Sequence, residues 1–117
     1  MIIPGAEVRV LVATQPIDFR KQADTIAAVV QERLLESPYS GTIFVFRSKR
    51  SNRVKLLWWD GTGICLLTKR LENGHFCWPA IVEGTIPLTR AQLSMLLEGL
   101  EWSHARPREI VRPSATQ

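Results

Sequence analysis

The residues best suited to chemistry in this sequence are cations and aromatic rings gathered in one short stretch. Residues 47–63 read RSKRSNRVKLLWWDGTG, and five of the first nine are Lys or Arg. Cations contact phosphates without regard to base sequence, and an exposed aromatic ring can stack on a base. The stretch therefore favours nucleic-acid binding, with Trp58 or Trp59 as the aromatic contact. Its candidate cations are Arg47, Lys49, Arg50, Arg53 and Lys55.

The same residues also admit a purely structural interpretation. Charge runs are commonly solvated surfaces, and both tryptophans could belong to the core. Alternate residues of a strand face opposite sides of a sheet. Trp58 and Trp59 can thus both be buried only if the sheet is covered on both faces. The residues alone leave the binding and the structural interpretation open.

Four further cations could extend the charged surface. Arg20 and Lys21 stand at the start of a predicted helix, where positive charge opposes the helix dipole and is slightly unfavourable. Lys69 and Arg70 lie in a predicted strand that should pair with residues 53–59 in a hairpin. We include all four as candidate nucleic-acid contacts.

No pattern in the chain predicts catalysis, a metal site or a cofactor. The sequence has no nucleophile elbow and no phosphate-binding glycine loop. His75 and Cys77 fall well short of the four ligands of a zinc site. A metal-dependent nuclease would need convergent carboxylates, and Asp18, Asp24 and Asp60 stand at no diagnostic spacing. A small nuclease is therefore the least favoured function.

Size and composition indicate one basic domain. The chain has 117 residues, a net charge of +4 and 45% hydrophobic residues. Such a charge suits an anionic partner such as DNA. No apolar run approaches the ~20 residues needed to cross a bilayer, and the N-terminus does not resemble a secretory signal. We expect a cytoplasmic protein without a membrane partner, with a domain at 1–102 and a flexible basic tail at 103–117.

The apolar pattern predicts an α+β fold: an antiparallel, strongly twisted meander of about five or six strands packed with two helices. The first helix is expected over 18–36, with Asp18 as its N-cap and Pro38 beyond its end. The second follows a capping box formed by Thr89 and Gln92. The strands are expected at 8–13, 42–47, 53–59, 64–71 and 75–78, with a short edge strand at 84–88.

Turn residues separate the predicted strands. The segment 60–63 (DGTG) is typical of a tight turn, in which Asp60 is a turn residue. Asn73 and Gly74 form the preferred two-residue hairpin turn, which would join the strands at 64–71 and 75–78. Pro87 cannot donate to a strand ladder, so the strand at 84–88 should lie at the edge of the sheet.

Taken together, three blocks of sequence resemble a known family. They are DFRKQADTIAAVV (18–30), the long block at 44–79 and LTRAQLSMLLEGLEW (88–102). They resemble the accessory protein often called TnpB of the insertion sequence 66 class of bacterial mobile elements. The family commonly has Gly where this chain has Gln22, and often Met where it has Phe19. Gln22 suggests that the first helix begins without a glycine break.

The resemblance implies a role beside other proteins. Members of this family are encoded next to a separate, larger transposase, which is thought to cut and join DNA, and they assist transposition. The family has no agreed active site, so no catalytic residue is transferred. The matching basic, aromatic and turn positions are Arg20, Lys21, Arg47, Arg50, Arg53, Lys55, Trp58, Trp59, Asp60, Gly61, Lys69 and Arg70.

Two functional hypotheses follow. The first is a non-catalytic accessory protein that binds DNA through the hairpin at 47–55 and assists a separate transposase. The alternative is an interaction module that docks onto the transposase or associates with a second copy of itself, because exposed tryptophan and arginine are also favoured interface residues.

Overall fold

The computed structural model describes residues 8–103, which contain five strands and two helices. The strands form one sheet in the order β4–β3–β2–β1–β5. The predicted α+β class with two helices is thereby confirmed. The predicted tail at 103–117 lies outside the described residues, apart from residue 103 itself. In chain order the elements are β1 (Val10–Ala13), α1 (Ala23–Glu32), β2 (Ile43–Arg47), β3 (Arg53–Trp59), β4 (Ile64–Arg70), β5 (Thr85–Leu88) and α2 (Arg90–Leu97).

The sheet is mostly antiparallel but not entirely, which corrects the predicted meander. β1 pairs in parallel with β2, with Val10 opposite Ile43 and Ala13 opposite Phe46. The other three strand pairs are antiparallel. Parallel neighbours cannot be joined by a tight turn and need a long crossover connection. The segment that contains α1 supplies that connection.

Helices cover the sheet on both sides, so each face has its own core. On the α2 face, Val54 and Leu56 of β3 pack with Leu96 of α2 and with the buried Phe76. On the α1 face, Leu57 of β3 packs with Ile26 and other residues of α1. This two-sided burial explains why β2 and β3 read as continuous apolar runs.

The first helix is shorter than its apolar pattern predicts. It begins at Ala23, and its N-cap residue Gln22 makes no side-chain capping hydrogen bond. The prediction that Asp18 caps the helix is wrong, because the Asp18 carboxylate instead accepts the backbone N–H and guanidinium of Arg20 in the preceding turn. At the other end, Leu35 adopts a left-handed φ of 55°, so the helix ends before Pro38.

The predicted strand at 75–78 does not form. The backbone N–H of Phe76 and the indole N–H of Trp78 both donate to the Ser51 carbonyl, at 2.9 and 3.1 Å. This segment therefore packs across the loop between β2 and β3 and places Phe76 in the core. Asn73 and Gly74 still form a bend, but no hairpin follows it, and β4 stays at the edge of the sheet.

The C-terminal part of the described chain follows the prediction closely. β5 lies at the edge of the sheet, as Pro87 requires. The Thr89 side chain accepts the Gln92 backbone N–H at 3.1 Å, and the Gln92 side chain accepts the Thr89 backbone N–H at 2.9 Å. The capping box is thus confirmed. Neither helix within residues 8–103 is long and apolar enough to cross a membrane.

The capping box gives a first test of the fold. Thr89→Ala removes the acceptor for the Gln92 N–H and should lower the free energy of unfolding by about 1 kcal/mol, measured by urea denaturation. Ser94→Ala, an exposed change inside α2, is the matched control and should leave stability almost unchanged. Equal stabilities of the two variants would show that the capping box contributes nothing.

Candidate nucleic-acid interface

One wall of the candidate interface is the turn between β2 and β3. This turn carries Lys49 and Arg50, which are both exposed. The Ser48 hydroxyl donates to the Arg50 carbonyl and closes the turn. Because antiparallel pairing of β2 and β3 fixes the two ends of the turn, its cations project from a rigid hairpin.

The opposite wall is the segment that leads into α1. The backbone N–H of Ile17 donates to the Arg47 carbonyl at 2.9 Å and ties this segment to the hairpin. Beyond it, the Asp18 carboxylate holds Arg20 in place. A depression of about 750 Å³ lies between the two walls, and Arg20, Lys49, Arg50 and Arg53 line it.

A second depression continues from the first toward the edge of the sheet. It has a volume of about 470 Å³ and is lined by Phe19, Arg53, Lys55, Thr68, Arg70 and Glu72. Phe19 and Arg53 line both depressions, so the two form one continuous surface. We call this surface the basic groove and define it by its five cations at the surface: Arg20, Lys49, Arg50, Arg53 and Arg70.

Two carboxylates neutralise part of the charge of the basic groove. Asp18 pairs with Arg20 at 2.7 Å, and Glu72 pairs with Arg70 at 3.2 Å. Hydrogen bonds from the Arg20 side chain and backbone lower the pKa of Asp18 to about 2. All four side chains are substantially exposed, so these pairs contribute little to stability. Within residues 8–103, the other three cations of the groove form no ion pair.

Lys55 lies beneath the groove rather than on it. The residue is 5% exposed, and its ammonium donates to the carbonyls of Phe19 and Lys21 at 2.7 and 2.9 Å. Burial lowers the pKa of this lysine below its ordinary value, and the charge of Asp18 partly opposes the shift. The predicted phosphate contact is thus a structural lysine, which ties the segment before α1 to the sheet. Lys21 supplies a carbonyl to it and lines neither depression.

Two predicted contacts lie on the other face of the sheet. Arg47 and Lys69 both stand opposite Val54 in the strand register, on the α2 face. The Arg47 guanidinium lies 5.3 Å from the centre of the Trp78 ring, and burial lowers its pKa. The Lys69 ammonium donates to the Leu97 carbonyl at 2.7 Å. The structure therefore does not bring these two cations to the basic groove.

Neither of the predicted tryptophans lines the groove. Trp58 is 5% exposed and belongs to the core of the α2 face. Trp59 is half-buried and meets Tyr39 edge to face, with ring centres 5.7 Å apart. The aromatic ring in the groove is Phe19, which the sequence interpretation missed. The available signal was its place directly before Arg20, inside the first family-like block.

Asp60, one of the carboxylates considered for a nuclease, has structural surroundings. Asp60 accepts the backbone N–H groups of Thr62 and Gly63, both at 3.0 Å, and these bonds lower its pKa to about 2. Gly61 in the same turn has a φ of 106°, which favours glycine. Among the described residues, no three His, Cys, Asp or Glu side chains lie close enough to hold a metal ion.

Comparisons with known proteins give one family and two relatives. A family model described as IS66 Orf2 like protein matches residues 8–107. The uncharacterized protein y4jC of Sinorhizobium fredii (strain NBRC 101917 / NGR234) is 41% identical over 114 residues, which cover 97% of each chain. The uncharacterized protein y4hO of the same strain is 44% identical over 114 residues, again 97% of each chain. No solved structure gives a significant match.

The buried lysine generates a stability prediction. Lys55→Met keeps much of the apolar stem but leaves the carbonyls of Phe19 and Lys21 without their donor, which should lower the free energy of unfolding by about 1–3 kcal/mol. Chemical denaturation measures the change. Lys49→Met makes the same substitution at an exposed site and should cost little. If both variants were equally stable, Lys55 would have no structural role.

Proposed function

Because the chain belongs to the family of IS66 Orf2-like proteins, we propose that it is a non-catalytic accessory protein that binds DNA through the basic groove. The family is one of accessory proteins associated with insertion sequences. In the proposed role, the groove holds DNA of the mobile element while a separate transposase performs strand cleavage and joining. The protein then contributes affinity for DNA and positions it, and the transposase catalyses the reaction.

The observation that carries this proposal is the convergence of five cations on one continuous concave surface. Among the described residues that line its two depressions, only Asp18 and Glu72 are carboxylates, so cations exceed anions by three even without the buried Lys55. Each DNA phosphate that a cation neutralises releases condensed counterions, which favours binding. The guanidinium groups of Arg50 and Arg53 can also each present two parallel N–H groups to a phosphate.

The most direct test removes the two exposed cations of the hairpin. In Lys49→Gln plus Arg50→Gln, DNA affinity should fall, and the slope of log affinity against log salt should become shallower by about 2, since each phosphate contact contributes ~0.9. Fluorescence anisotropy with a labelled duplex over a salt series measures both quantities. These side chains support no core contact, so the variant should fold normally.

A matched control separates the groove from overall charge. Arg33→Gln plus Arg90→Gln also removes two exposed cations, but neither residue belongs to the basic groove. This variant should keep nearly all the affinity and the salt slope of the original protein. An equal loss in both double variants would refute DNA binding through the groove, because net charge alone would then explain it.

The open edge of the sheet favours a second candidate function, docking to the transposase or to a second copy. Within residues 8–103, β4 pairs with β3 alone, so its other side presents backbone groups that no described strand pairs. Leu67 at its centre is 40% exposed. If two copies paired antiparallel about Leu67, Lys69 of one copy would stand opposite Cys65 of the other. Within its own copy, Cys65 contacts the Asp60 carboxylate at 3.5 Å, so Lys69 would lie beside that carboxylate. Opposite charges would then meet.

Self-association through this edge has its own test. Leu67→Lys places a charge at the centre of β4 and should convert a dimer to a monomer in light scattering coupled to size exclusion. Leu100→Lys, at another exposed leucine, should leave the mass unchanged. A monomeric original protein, or a dimer that survives Leu67→Lys, would exclude this mode of self-association.

A further inference from the structure

Two arginines face each other directly at the end of the basic groove. Arg53 of β3 is opposite Arg70 of β4 in the strand register, and both side chains line the second depression. Like charges directly opposite on one face of an antiparallel pair are destabilising. This pair therefore weakens the fold slightly unless an anion lies between the two guanidinium groups.

The chain itself supplies only a partial counterion. Glu72 contacts Arg70 at 3.2 Å, but its side chain is 77% exposed. Arg53 forms no ion pair with any described residue, and its Nε is buried without a hydrogen-bond partner. One guanidinium of the pair thus has a weak, solvent-screened carboxylate, and the other has none.

Two further donors complete the depression. Lys55 and Thr68 are opposite each other two positions further along the register, on the same face of the sheet, and line the same depression. An ammonium has three N–H groups, and Lys55 gives two of them to the Phe19 and Lys21 carbonyls. Thr68 is exposed, and its hydroxyl makes no hydrogen bond to another described residue. In the strand register these four residues form a square, and three of its corners carry a positive charge.

We propose that this square is a binding site for one phosphate group. Arg53 and Arg70 hold its oxygens from two sides, Thr68 donates a hydrogen bond, and Lys55 adds positive potential from beneath. The depression of about 470 Å³ leaves room for the group that carries the phosphate. This proposal rests on the proposed function in one respect, the source of the phosphate. That source is either DNA or a small phosphate ester.

Inorganic phosphate is the first probe. At constant ionic strength, phosphate should raise the thermal unfolding temperature above its value in chloride, and calorimetric titration should give the affinity. Arg70→Gln should weaken phosphate binding about tenfold, since a charge-assisted hydrogen bond is lost. Glu72→Gln removes the competing carboxylate and should strengthen it. Arg70 is exposed, so its variant should fold.

Lys69→Gln is the matched control, because it removes a neighbouring charge of β4 that lies on the opposite face. It should bind phosphate like the original protein. The proposal is overturned if phosphate stabilises no more than chloride does. It is also overturned if Lys69→Gln loses as much affinity as Arg70→Gln, or if Glu72→Gln weakens binding.

Oligonucleotides identify the source of the phosphate. If the site holds a DNA end, a 5′-phosphorylated strand should bind more tightly than the same strand without phosphate, and Arg70→Gln should remove the difference. If it holds an internal phosphate, both strands should weaken equally in Arg70→Gln. If its ligand is a small ester, a nucleoside monophosphate should bind through Arg70 while neither strand depends on it.

These results are separable from the test of DNA binding by the hairpin. If the Lys49 and Arg50 double variant keeps full DNA affinity while Arg70→Gln loses phosphate, the phosphate site stands and the proposed function fails. If the double variant loses DNA affinity but phosphate gives no stabilisation, the groove binds DNA and the phosphate site is wrong.

Discussion

The basic groove depends on one buried ammonium. Lys55 donates to the carbonyls of Phe19 and Lys21 and so fastens the segment before α1 to β3. That segment is the wall that faces the hairpin cations and presents Arg20. Without the lysine, two partly buried carbonyls would lose their donor, and the position of the wall would no longer be fixed. A charge that appears in the sequence to belong to a binding surface thus organises that surface from below.

Two-sided burial of the sheet determines which charges can act together. Because neighbouring strand residues face opposite sides, Arg47 and Arg53 diverge although they are close in the chain. Arg53 joins Arg70 from the next strand, whereas Arg47 stacks on Trp78 on the other face. The same alternation separates Trp58 from Trp59. Charge density along the sequence is therefore a poor measure of charge density on the surface. The strand register determines which charged side chains share a face.

The sequence was sufficient where local chemistry decides the structure, and insufficient where distant partners do. The capping box of Thr89 and Gln92 and the turn at Asp60 are satisfied by neighbours in the chain, so both were predictable. The parallel pairing of β1 with β2 depends on a crossover through α1. The segment at 75–78 has strand-like residues, but the Ser51 carbonyl takes its hydrogen bonds. Phe19 lies in the groove because its carbonyl accepts a hydrogen bond from Lys55, a contact between distant parts of the chain that the sequence does not reveal.

Under the proposed function, the two exposed ion pairs hold arginines of the groove ready for phosphate. Asp18 and Glu72 hold Arg20 and Arg70 near the groove, yet exposed pairs of this kind contribute little free energy. A phosphate can replace such a carboxylate at small cost, because the arginine is already ordered and loses little conformational entropy on binding. Arg53 differs, since it has no carboxylate to release. Arg53 therefore meets a phosphate without first giving up a carboxylate, and Arg70 joins it once the contact with Glu72 is replaced.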